Sequence, residues 1–392
     1  MFKHRYLEEK IIADLSRKMV FIGGPRQVGK TTLAKRIGVT AYKKYSYLNW
    51  DDIDDQKSIL KSVLAPDAQM IIFDEIHKYR NWKNYIKGKF DKYRDIFSII
   101  VTGSARLDLY KKGGDSLLGR YYYFRLHPFS IAEMLKKNNQ LIPFKKISFP
   151  PETNDLAHIF KRLFEFGGFP EPLISQDATE LRRWQNQRVE KIVKDDIRDI
   201  ESVRDISTLQ ILVSLLPGKV ASQLSINSLR EDLLVSHKTI SLWMDILEHF
   251  YYHFRISPYS AKDINSLKKE KKMYLWDWSE VPSISARLEN IVASHLLKLV
   301  HFLYDVQGYK AELHYLRDRD GHEVDFLITI DKKPWFAVEV KSSDQNPSKN
   351  LLYFGKKLSI PFLYQVVNIE NVDFMQKDIR IMSVDKFLSG LI

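Results

Sequence analysis

Gly24-Pro25-Arg26-Gln27-Val28-Gly29-Lys30-Thr31 decides the fold class of this chain, because it is a complete G-x-x-x-x-G-K-T pattern. The apolar residues 19–22 before it predict a short buried strand, and residues 32–37 after it predict the start of a helix. In such a strand, loop and helix, the glycines let backbone N–H groups close on a polyphosphate, and the helix N-terminus adds positive potential. The stretch therefore predicts a nucleotide site.

Individual groups of this loop have expected roles at the site. Lys30 is expected to reach the β and γ phosphates, and the Thr31 hydroxyl to hold Mg²⁺. The predicted nucleotide-binding residues are Gly24, Pro25, Arg26, Gln27, Val28, Gly29, Lys30, Thr31, Thr32 and Ser104. ATP with Mg²⁺ is the expected cofactor.

Two carboxylates follow the apolar residues 70–73, within an alternating order of strand-like and helix-like segments. That order predicts a parallel sheet with crossover helices, in which Asp74 and Glu75 lie at the edge where ligands bind. Asp74 is expected to hold Mg²⁺ through water, and Glu75 to polarise the attacking water. The alternative is a solvated acidic pair that only ends a strand.

Two further segments add candidate groups beside the γ phosphate. The apolar residues 98–101 lead into Thr102-Gly103-Ser104, so Thr102 or Ser104 is a candidate polar sensor. Arg120 precedes another strand-like run, and such an arginine can stabilise phosphoryl charge in its own or a neighbouring subunit. A surface ion pair is the alternative for Arg120.

Length, charge and composition limit the class of protein. At roughly 150 residues per domain, 392 residues suggest about two to four domains. The net charge of +12 favours a polyanionic partner, with nucleic acid ahead of an anionic membrane surface. The absence of cysteine excludes disulfides, thiolate zinc sites and thiol nucleophiles. No run of about 18 apolar residues and no signal-peptide core occur, so we expect a cytoplasmic protein that does not enter a membrane.

Residues 206–282 carry a helix-turn-helix pattern, in which Ser225 and Ser236 are suitable N-caps for the two helices. Two strand-like runs follow and flank the basic loop 262–272, so the pattern predicts a winged helix. The expected DNA contacts are His237, Lys238, Ser241, Lys268, Lys269, Lys271 and Lys272. The alternatives are a dimerisation or packing module and a lysine-rich loop that serves solubility alone.

Residues 283–392 begin with an amphipathic helix and continue with three strand-like runs. Adjacent antiparallel strands would place Asp325 near Glu339, with Lys341 on the face of Glu339, because strand side chains repeat every second residue. This layout resembles the metal site of the PD-(D/E)XK nucleases, with Glu289 on the helix as a further carboxylate.

In such a site Asp325 and Glu339 are the expected ligands of Mg²⁺ or Mn²⁺, because hard oxygen ligands suit these ions. Lys341 would orient or activate a water for attack on a phosphodiester. The alternative is a fold kept for DNA binding or other interactions, in which these charges pair with one another.

Five stretches, GPRQVGKTT, IIFDEIHKYRNW, VTGSA, LLGRYYYFRLHPFSIAEM and FGGFPEP, together resemble a bacterial and archaeal AAA+ ATPase family with a C-terminal domain of uncharacterised function. The resemblance spans nearly the whole chain, and FGGFPEP is its most specific part. It implies an α/β fold with a P-loop AAA+ parallel-sheet core (1–151), a helical lid (152–205), a winged helix-turn-helix (206–282) and a PD-(D/E)XK nuclease-like α/β domain (283–392). The groups carried over by matching position are Lys30 and Thr31 for phosphate and metal, Asp74 and Glu75 for hydrolysis, and Arg120 as arginine finger.

Two functions stay open at this point. The leading prediction is a homo-oligomeric, DNA-binding ATPase that remodels, translocates or processes branched or duplex DNA, while the nuclease-like domain holds or cuts it. The alternative is a regulatory or signalling nucleotide switch whose last two modules mediate only protein contacts. DNA binding that depends on salt and stimulates ATP hydrolysis would favour the first.

Overall fold

The structure is a computed structural model that describes residues 4–392 except 64, 66, 104–116, 138, 152–154, 198–202, 204 and 261–269. It divides into two compact units, Met1–His127 and Pro128–Ile392. Residues 128–151, which the sequence pattern assigns to the first module, therefore belong to the second unit. There the Asn139 side-chain amide donates to the carbonyl oxygens of Ser389 and Leu391, at 2.8 and 2.6 Å.

The first unit is built on a five-stranded parallel sheet in the order β2-β3-β4-β1-β5. Its strands are β1 Met19–Gly23, β2 Tyr45–Asn49, β3 Met70–Asp74, β4 Ser98–Thr102 and β5 Tyr121–Arg125. Its helices are Glu8–Leu15, Lys30–Ala41, Ile53–Leu60 and Trp82–Tyr93, with a 3₁₀ turn at Ile76–Lys78. Every residue of β1 and β3 is buried, as expected of central strands covered on both faces. The predicted parallel-sheet core is confirmed.

The carboxyl ends of neighbouring strands lie at one edge of this sheet. Ile22 of β1 pairs with Thr102 of β4, which also pairs with Asp74 of β3, and Asp74 pairs with Asn49 of β2. Because the strands are parallel, the glycine-rich loop after β1 and the carboxylates at the end of β3 share this edge.

The second unit contains an eight-stranded mixed sheet in the order β12-β13-β11-β10-β9-β8-β6-β7. Its strands are β6 His253–Pro258, β7 Lys272–Leu275, β8 Ala311–Arg317, β9 Glu323–Ile330, β10 Lys333–Lys341, β11 Phe362–Val367, β12 Asp373–Gln376 and β13 Ile379–Ser383. Its helical segments are Ile131–Met134, Asp155–Phe166, Pro170–Ser175, Ala178–Glu190, Lys191–Ile197, Ile206–Leu215, Leu216–Lys219, Ile226–Leu233, His237–His249, Trp278–Glu280, Ile284–Gln307, Lys349–Lys357 and Val384–Ser389.

The hairpin of β6 and β7 is continuous with this sheet. β6 pairs antiparallel with β7 and parallel with β8, where Ser257 lies opposite His314. The sequence pattern puts the hairpin and the last module on either side of residue 282, whereas the structure joins their strands. The hairpin and the C-terminal strands therefore form one sheet.

None of the helices in the described part of the chain is long and apolar enough to span a membrane.

Candidate functional site

The glycine-rich loop begins where β1 ends and closes at the start of the helix Lys30–Ala41. Gly24 has a φ of +143°, and a Cβ there would lie 2.4 Å from the backbone oxygen of Leu126. Gly29 caps the helix with a φ of +98°. Both positions require glycine, because a positive φ is unfavourable for residues with a side chain. At Gly24 a side chain would also clash with the Leu126 backbone. The loop therefore presents backbone N–H groups and a helix N-terminus, as a phosphate site requires.

Lys30 is buried, and its ammonium lies against the inside of this loop. Its Nζ donates to the carbonyl oxygens of Gly24 and Pro25 at 3.0 and 2.8 Å. Of the other loop residues, Val28 is buried and Arg26 and Gln27 are half-buried. Lys30 is thus a positive side chain that the fold places against the loop backbone.

Three hydroxyl groups converge on the carboxylate of Asp74. Thr31 Oγ1 and Tyr47 OH donate to Oδ2 at 2.7 and 2.9 Å, and Thr102 Oγ1 donates to Oδ1. Burial and the charge of Asp74 hold the pKa of Tyr47 well above its usual range. The Thr31 hydroxyl and the Asp74 carboxylate present adjacent oxygens, a donor set that fits Mg²⁺. The sequence pattern did not identify Tyr47, because its contact depends on β2 lying beside β3.

Glu75 follows Asp74 in the left-handed region, with a φ of +53°. This conformation turns the chain sharply out of β3, and the Glu75 N–H donates to the Thr102 carbonyl oxygen at 3.0 Å. Burial raises the pKa of Glu75, and the charge of Lys30 opposes that rise. His77 Nε2 lies 3.4 Å from Glu75 Oε2. A half-buried carboxylate beside Lys30 and Asp74 is suited to accept a proton from water at the phosphate edge.

Of the two candidate polar sensors, Thr102 and Ser104, the structure describes only Thr102. Thr102 is fully buried and donates to Asp74, so its hydroxyl braces the carboxylate. Ser104 lies outside the described residues. Thr32 is exposed on the first turn of the loop's helix.

Arg120 forms an ion pair on the surface. Its Nε and Nη2 donate to the two carboxylate oxygens of Asp91 at 2.7 and 3.1 Å. Because Arg120 directly precedes β5, it lies at the sheet edge opposite the phosphate loop. These observations favour the ion-pair alternative over a role at the nucleotide of the same chain.

Arg5 is a buried residue of the loop's surroundings that no sequence pattern identified. Its Nη1 donates to the Val28 carbonyl oxygen at 2.9 Å, and its Nη2 donates to that of His127. Tyr6 OH donates to the Arg125 carbonyl oxygen at 2.7 Å. The N-terminal segment thereby ties the phosphate loop to the chain that follows β5.

Four of the residues that resemble a nuclease site lie together in the second unit. Glu289 is on the helix Ile284–Gln307, Asp325 on β9, and Glu339 and Lys341 on β10. The Val340 N–H donates to Asp325 Oδ2 at 2.9 Å, and Lys341 Nζ lies 2.6 Å from Glu339 Oε1. The predicted adjacency of Asp325 and Glu339 follows from the antiparallel pairing of β9 with β10.

Lys272, predicted to contact DNA, instead lies buried within this carboxylate cluster. Its Nζ is 2.6 Å from Glu323 Oε1, 3.3 Å from Glu289 Oε1 and 3.4 Å from Asp325 Oδ1. Burial alone would lower the pKa of Lys272, but Glu289 and Asp325 raise it overall. The DNA-contact prediction for this residue is not supported, because only 3% of it is exposed.

The cluster contains more carboxyl groups than cationic groups. Its four carboxylates, Glu289, Glu323, Asp325 and Glu339, adjoin three cations, Lys272, Arg317 and Lys341. Burial and the charge of Asp325 raise the pKa of Glu289 to about 8 and that of Glu339 to about 7. Within the described part of the chain, the buried Glu339 Oε2 makes no hydrogen bond. This oxygen, which lies beside Asp325, is therefore suited to bind a metal. Glu289, in contrast, already lies 3.3 Å from the ammonium of Lys272.

The two helix-turn-helix helices begin as predicted. Ser225 accepts from the Ser228 N–H and Ser236 from the Thr239 N–H, which confirms both N-caps.

The remaining DNA candidates differ in exposure. His237 and Lys238 are exposed at the start of the second helix, while Ser241 is half-buried with its Oγ 3.4 Å from His237 Nδ1. Lys271 is half-buried, and Lys268 and Lys269 lie outside the described residues.

Three segments of the chain match models of protein families. Residues 16–135 match a family described as an AAA domain. Residues 157–286 and 285–387 match two families, each described as a domain of unknown function. The segment with the phosphate loop is thus similar to AAA domains, in agreement with the predicted core. The winged-helix and nuclease-like assignments stay predictions.

The chain is similar to two relatives over most of its length. An uncharacterized protein of Methanocaldococcus jannaschii is 25% identical over 404 residues, covering 97% of this chain and 87% of that protein. An uncharacterized protein of Haemophilus influenzae is 22% identical over 355 residues, covering 83% of each.

Two solved structures align with the chain at low scores. The RuvB Holliday junction branch migration motor of Thermotoga maritima aligns with a TM-score of 0.32 and 18% identity, over 69% of this chain and 96% of that chain. The ORC1 protein of Aeropyrum pernix in complex with DNA aligns with a TM-score of 0.34 and 12% identity, over 75% of this chain and 93% of that chain.

Proposed function

We propose that this chain hydrolyses ATP and couples that turnover to DNA. The observation that carries hydrolysis is the meeting of Lys30, Asp74 and Glu75 at one edge of the parallel sheet. The loop N–H groups and Lys30 bind the phosphates, Thr31 and Asp74 hold Mg²⁺, and Glu75 takes the proton of the attacking water. Mg²⁺, when bound, would neutralise charge on the phosphate oxygens.

Two variants of the same edge test the hydrolysis proposal. Lys30→Ala should abolish tight ATP binding, whereas Glu75→Gln should keep binding and lose hydrolysis, because one group cradles phosphate and the other prepares water. Fluorescent-nucleotide binding and phosphate release measure the two properties separately. Undiminished turnover in Glu75→Gln would remove Glu75 from the proposed mechanism.

DNA is the partner that the chain's charge and helix-turn-helix favour. The net charge is +12, and His237 and Lys238 are exposed where the second helix begins. ATP hydrolysis should rise when duplex, single-stranded or four-way junction DNA is added, and branched DNA is the substrate for which we expect the largest rise. Tight nucleotide retention with no response to any of these DNAs would favour the regulatory switch. A homo-oligomer stays a prediction, since Arg120 pairs with Asp91 of its own chain.

Metal-dependent DNA cleavage is the second candidate function, at the carboxylate cluster. The observation that favours it is the buried Glu339 Oε2 without a hydrogen bond in the described structure, beside Asp325 and Lys341. Asp325 and Glu339 would hold Mg²⁺ or Mn²⁺, and Lys341 would orient a water toward a phosphodiester.

Cleavage assays on branched, duplex and single-stranded DNA test this second candidate. Wild type should cut at least one of these DNAs with Mg²⁺ or Mn²⁺, whereas Asp325→Ala and Glu339→Ala should not cut but keep ATP hydrolysis. Ca²⁺ should support DNA binding without cleavage, because its looser coordination orients water poorly. If no DNA is cut with either metal, or if Asp325→Ala cuts as well as wild type, the domain acts as a clamp.

A further inference from the structure

The carboxylate cluster already contains a positively charged group, the ammonium of Lys272 at the start of β7. This lysine is 3% exposed, and its Nζ approaches carboxylates of Glu323, Glu289 and Asp325 at 2.6, 3.3 and 3.4 Å. The carboxylates come from a helix and from β9, whereas the lysine comes from the hairpin. The ammonium therefore joins three separate elements.

The surroundings of Lys272 fix its position. The Tyr274 hydroxyl, two residues along β7, donates to Glu289 Oε1 at 2.7 Å, the same oxygen that Lys272 approaches. The Tyr315 ring centre lies 5.7 Å from Lys272 Nζ, within reach of a cation–π interaction. Gln223 forms a β-bridge to Lys272 and donates to the Tyr315 hydroxyl at 3.3 Å. The site is thus built around the ammonium.

We propose that Lys272 is the resident cation of this cluster, and that a divalent metal binds at Asp325 and Glu339 only by displacing Lys272 from Asp325. Both oxygens of Asp325 are engaged, since Oδ1 faces Lys272 and Oδ2 accepts from the Val340 N–H. A metal at Asp325 Oδ1 would lie within a few ångströms of the ammonium, and like charges at that distance repel strongly in a buried site. Lys272 and the metal therefore compete for Asp325 Oδ1.

This competition would couple the hairpin to the C-terminal strands. A hairpin held in its described position keeps the metal affinity low, and any movement that withdraws Lys272 raises it. The inference concerns the carboxylate cluster of the second candidate function, but it depends on neither ATP hydrolysis nor DNA cleavage, because its readout is metal binding.

Mn²⁺ titrations of the full chain without nucleotide test the proposal, with free Mn²⁺ followed by electron paramagnetic resonance. Lys272→Met should bind Mn²⁺ at least about tenfold more tightly than wild type, because an opposing charge is removed while the side-chain volume is kept. The added Asp325→Asn change should abolish that gain. Lys271→Met, at the preceding residue, is the matched control and should behave as wild type.

The proposal is wrong if Lys272→Met binds Mn²⁺ no more tightly than wild type, or if the gain survives Asp325→Asn. A measurement on wild type covers the case in which Lys272→Met fails to fold. Amine acylation read by mass spectrometry should label Lys272 slowly, and faster once Mn²⁺ binds the cluster. If Mn²⁺ binds in a way that depends on Asp325 but the rate of Lys272 labelling does not change, Lys272 and the metal do not compete. If Lys272 is labelled slowly and Mn²⁺ does not bind at Asp325, the result supports Lys272 as the cation that occupies the cluster.

Discussion

At the scale of single residues, Asp74 shows how the nucleotide site is assembled. Its hydroxyl donors Thr31, Tyr47 and Thr102 come from the loop's helix, β2 and β4, so three segments fix one carboxylate. Hydrogen bonds from hydroxyl groups orient an ionised carboxylate without neutralising it. Asp74 is therefore held in place for a metal.

Tyr47→Phe tests this arrangement, because it removes one hydroxyl and leaves the ring. A hydrogen bond to a charged group contributes about 1.5–3 kcal/mol, so a less well-oriented Asp74 should raise the Mg²⁺ concentration for half-maximal ATP hydrolysis several-fold. Binding of ATP without Mg²⁺ should not change. Tyr45→Phe on the same strand is the control, and an unchanged Mg²⁺ requirement in Tyr47→Phe would contradict a positioning role.

At the scale of elements, the FGGFPEP segment has a structural function. Gly167 adopts a φ of +74°, and a Cβ on Gly168 would lie 2.6 Å from the Trp278 ring and 2.7 Å from the Phe129 oxygen. Trp278 Nε1 donates to the Leu163 carbonyl oxygen at 2.6 Å. The two glycines thus let a helix end pack directly against the turn that contains Trp278.

Gly168→Ala should therefore destabilise the second unit. The added methyl group meets a backbone oxygen and a buried ring, so the expected loss is about 1–3 kcal/mol of unfolding free energy. Gly218→Ala is the matched control, because a Cβ there has no neighbour within 4 Å. Urea unfolding of both variants measures the difference, and equal stabilities would show that the Gly168 contact is easily relieved.

A buried charge network lies beside the same turn. The Arg188 side chain is fully buried, with Nη1 3.1 Å from Glu280 Oε1 and its guanidinium 4.6 Å from the Phe169 ring centre. The Tyr252 hydroxyl donates to Glu280 Oε2 at 3.1 Å. Burial raises the pKa of both Asp277 and Glu280, and the charge of Arg188 opposes that rise. Together the two carboxyl groups retain a proton that the unfolded chain would release.

This network predicts a pH-dependent stability. Burial and the charge of Asp277 raise the pKa of Glu280 from 4.5 to about 7, so the folded state binds more protons than the unfolded state in that range. The contribution to unfolding free energy is largest at low pH and falls as pH rises from about 4.5 to about 7. Glu280→Gln should flatten the pH dependence of urea unfolding, measured by tryptophan fluorescence. An equally steep dependence in the variant would exclude Glu280 as its source.

At the scale of the whole molecule, the lysines of the chain have different roles, and only some of them are available to bind DNA. Lys30 lines the phosphate loop and Lys272 neutralises buried carboxylates, so neither is available to a phosphate backbone on the surface. Lys268, Lys269 and Lys271 remain the hairpin candidates for DNA. The 61 lysine and arginine residues thus overstate the number of cations available for DNA binding.

Replacing Lys268, Lys269 and Lys271 by Gln, with Lys272 retained, should weaken DNA binding uniformly across sequences. The plot of log affinity against log salt should become shallower by up to about 0.9 per lost phosphate contact. The control replaces three exposed lysines of the first unit, Lys43, Lys61 and Lys92, and so changes the net charge equally. The same slope in wild type and the hairpin variant would assign the loop to solubility.

The sequence by itself determined those features that depend on neighbours along the chain. The glycines of the loop, Lys30 and Thr31 lie within eight residues, and an apolar run ending in Asp74 is enough to predict a carboxyl-edge carboxylate. The N-caps Ser225 and Ser236 are equally local. The prediction that Asp325 lies beside Glu339 needed only two adjacent antiparallel strands, in which every second side chain lies on the same face.

Only the tertiary structure decided which distant side chains meet. Tyr47 reaches Asp74 because β2 pairs with β3, and Lys272 leaves the predicted DNA surface because its hairpin joins the C-terminal sheet. A lysine in a basic stretch is predicted from sequence to be exposed to solvent. The pattern of apolar residues along one helix or strand indicates which face of that element is buried, but it does not show which charged side chains of other elements will contact it. Whether a polar group is exposed, paired or buried depends on contacts between elements, and those form only when the chain folds.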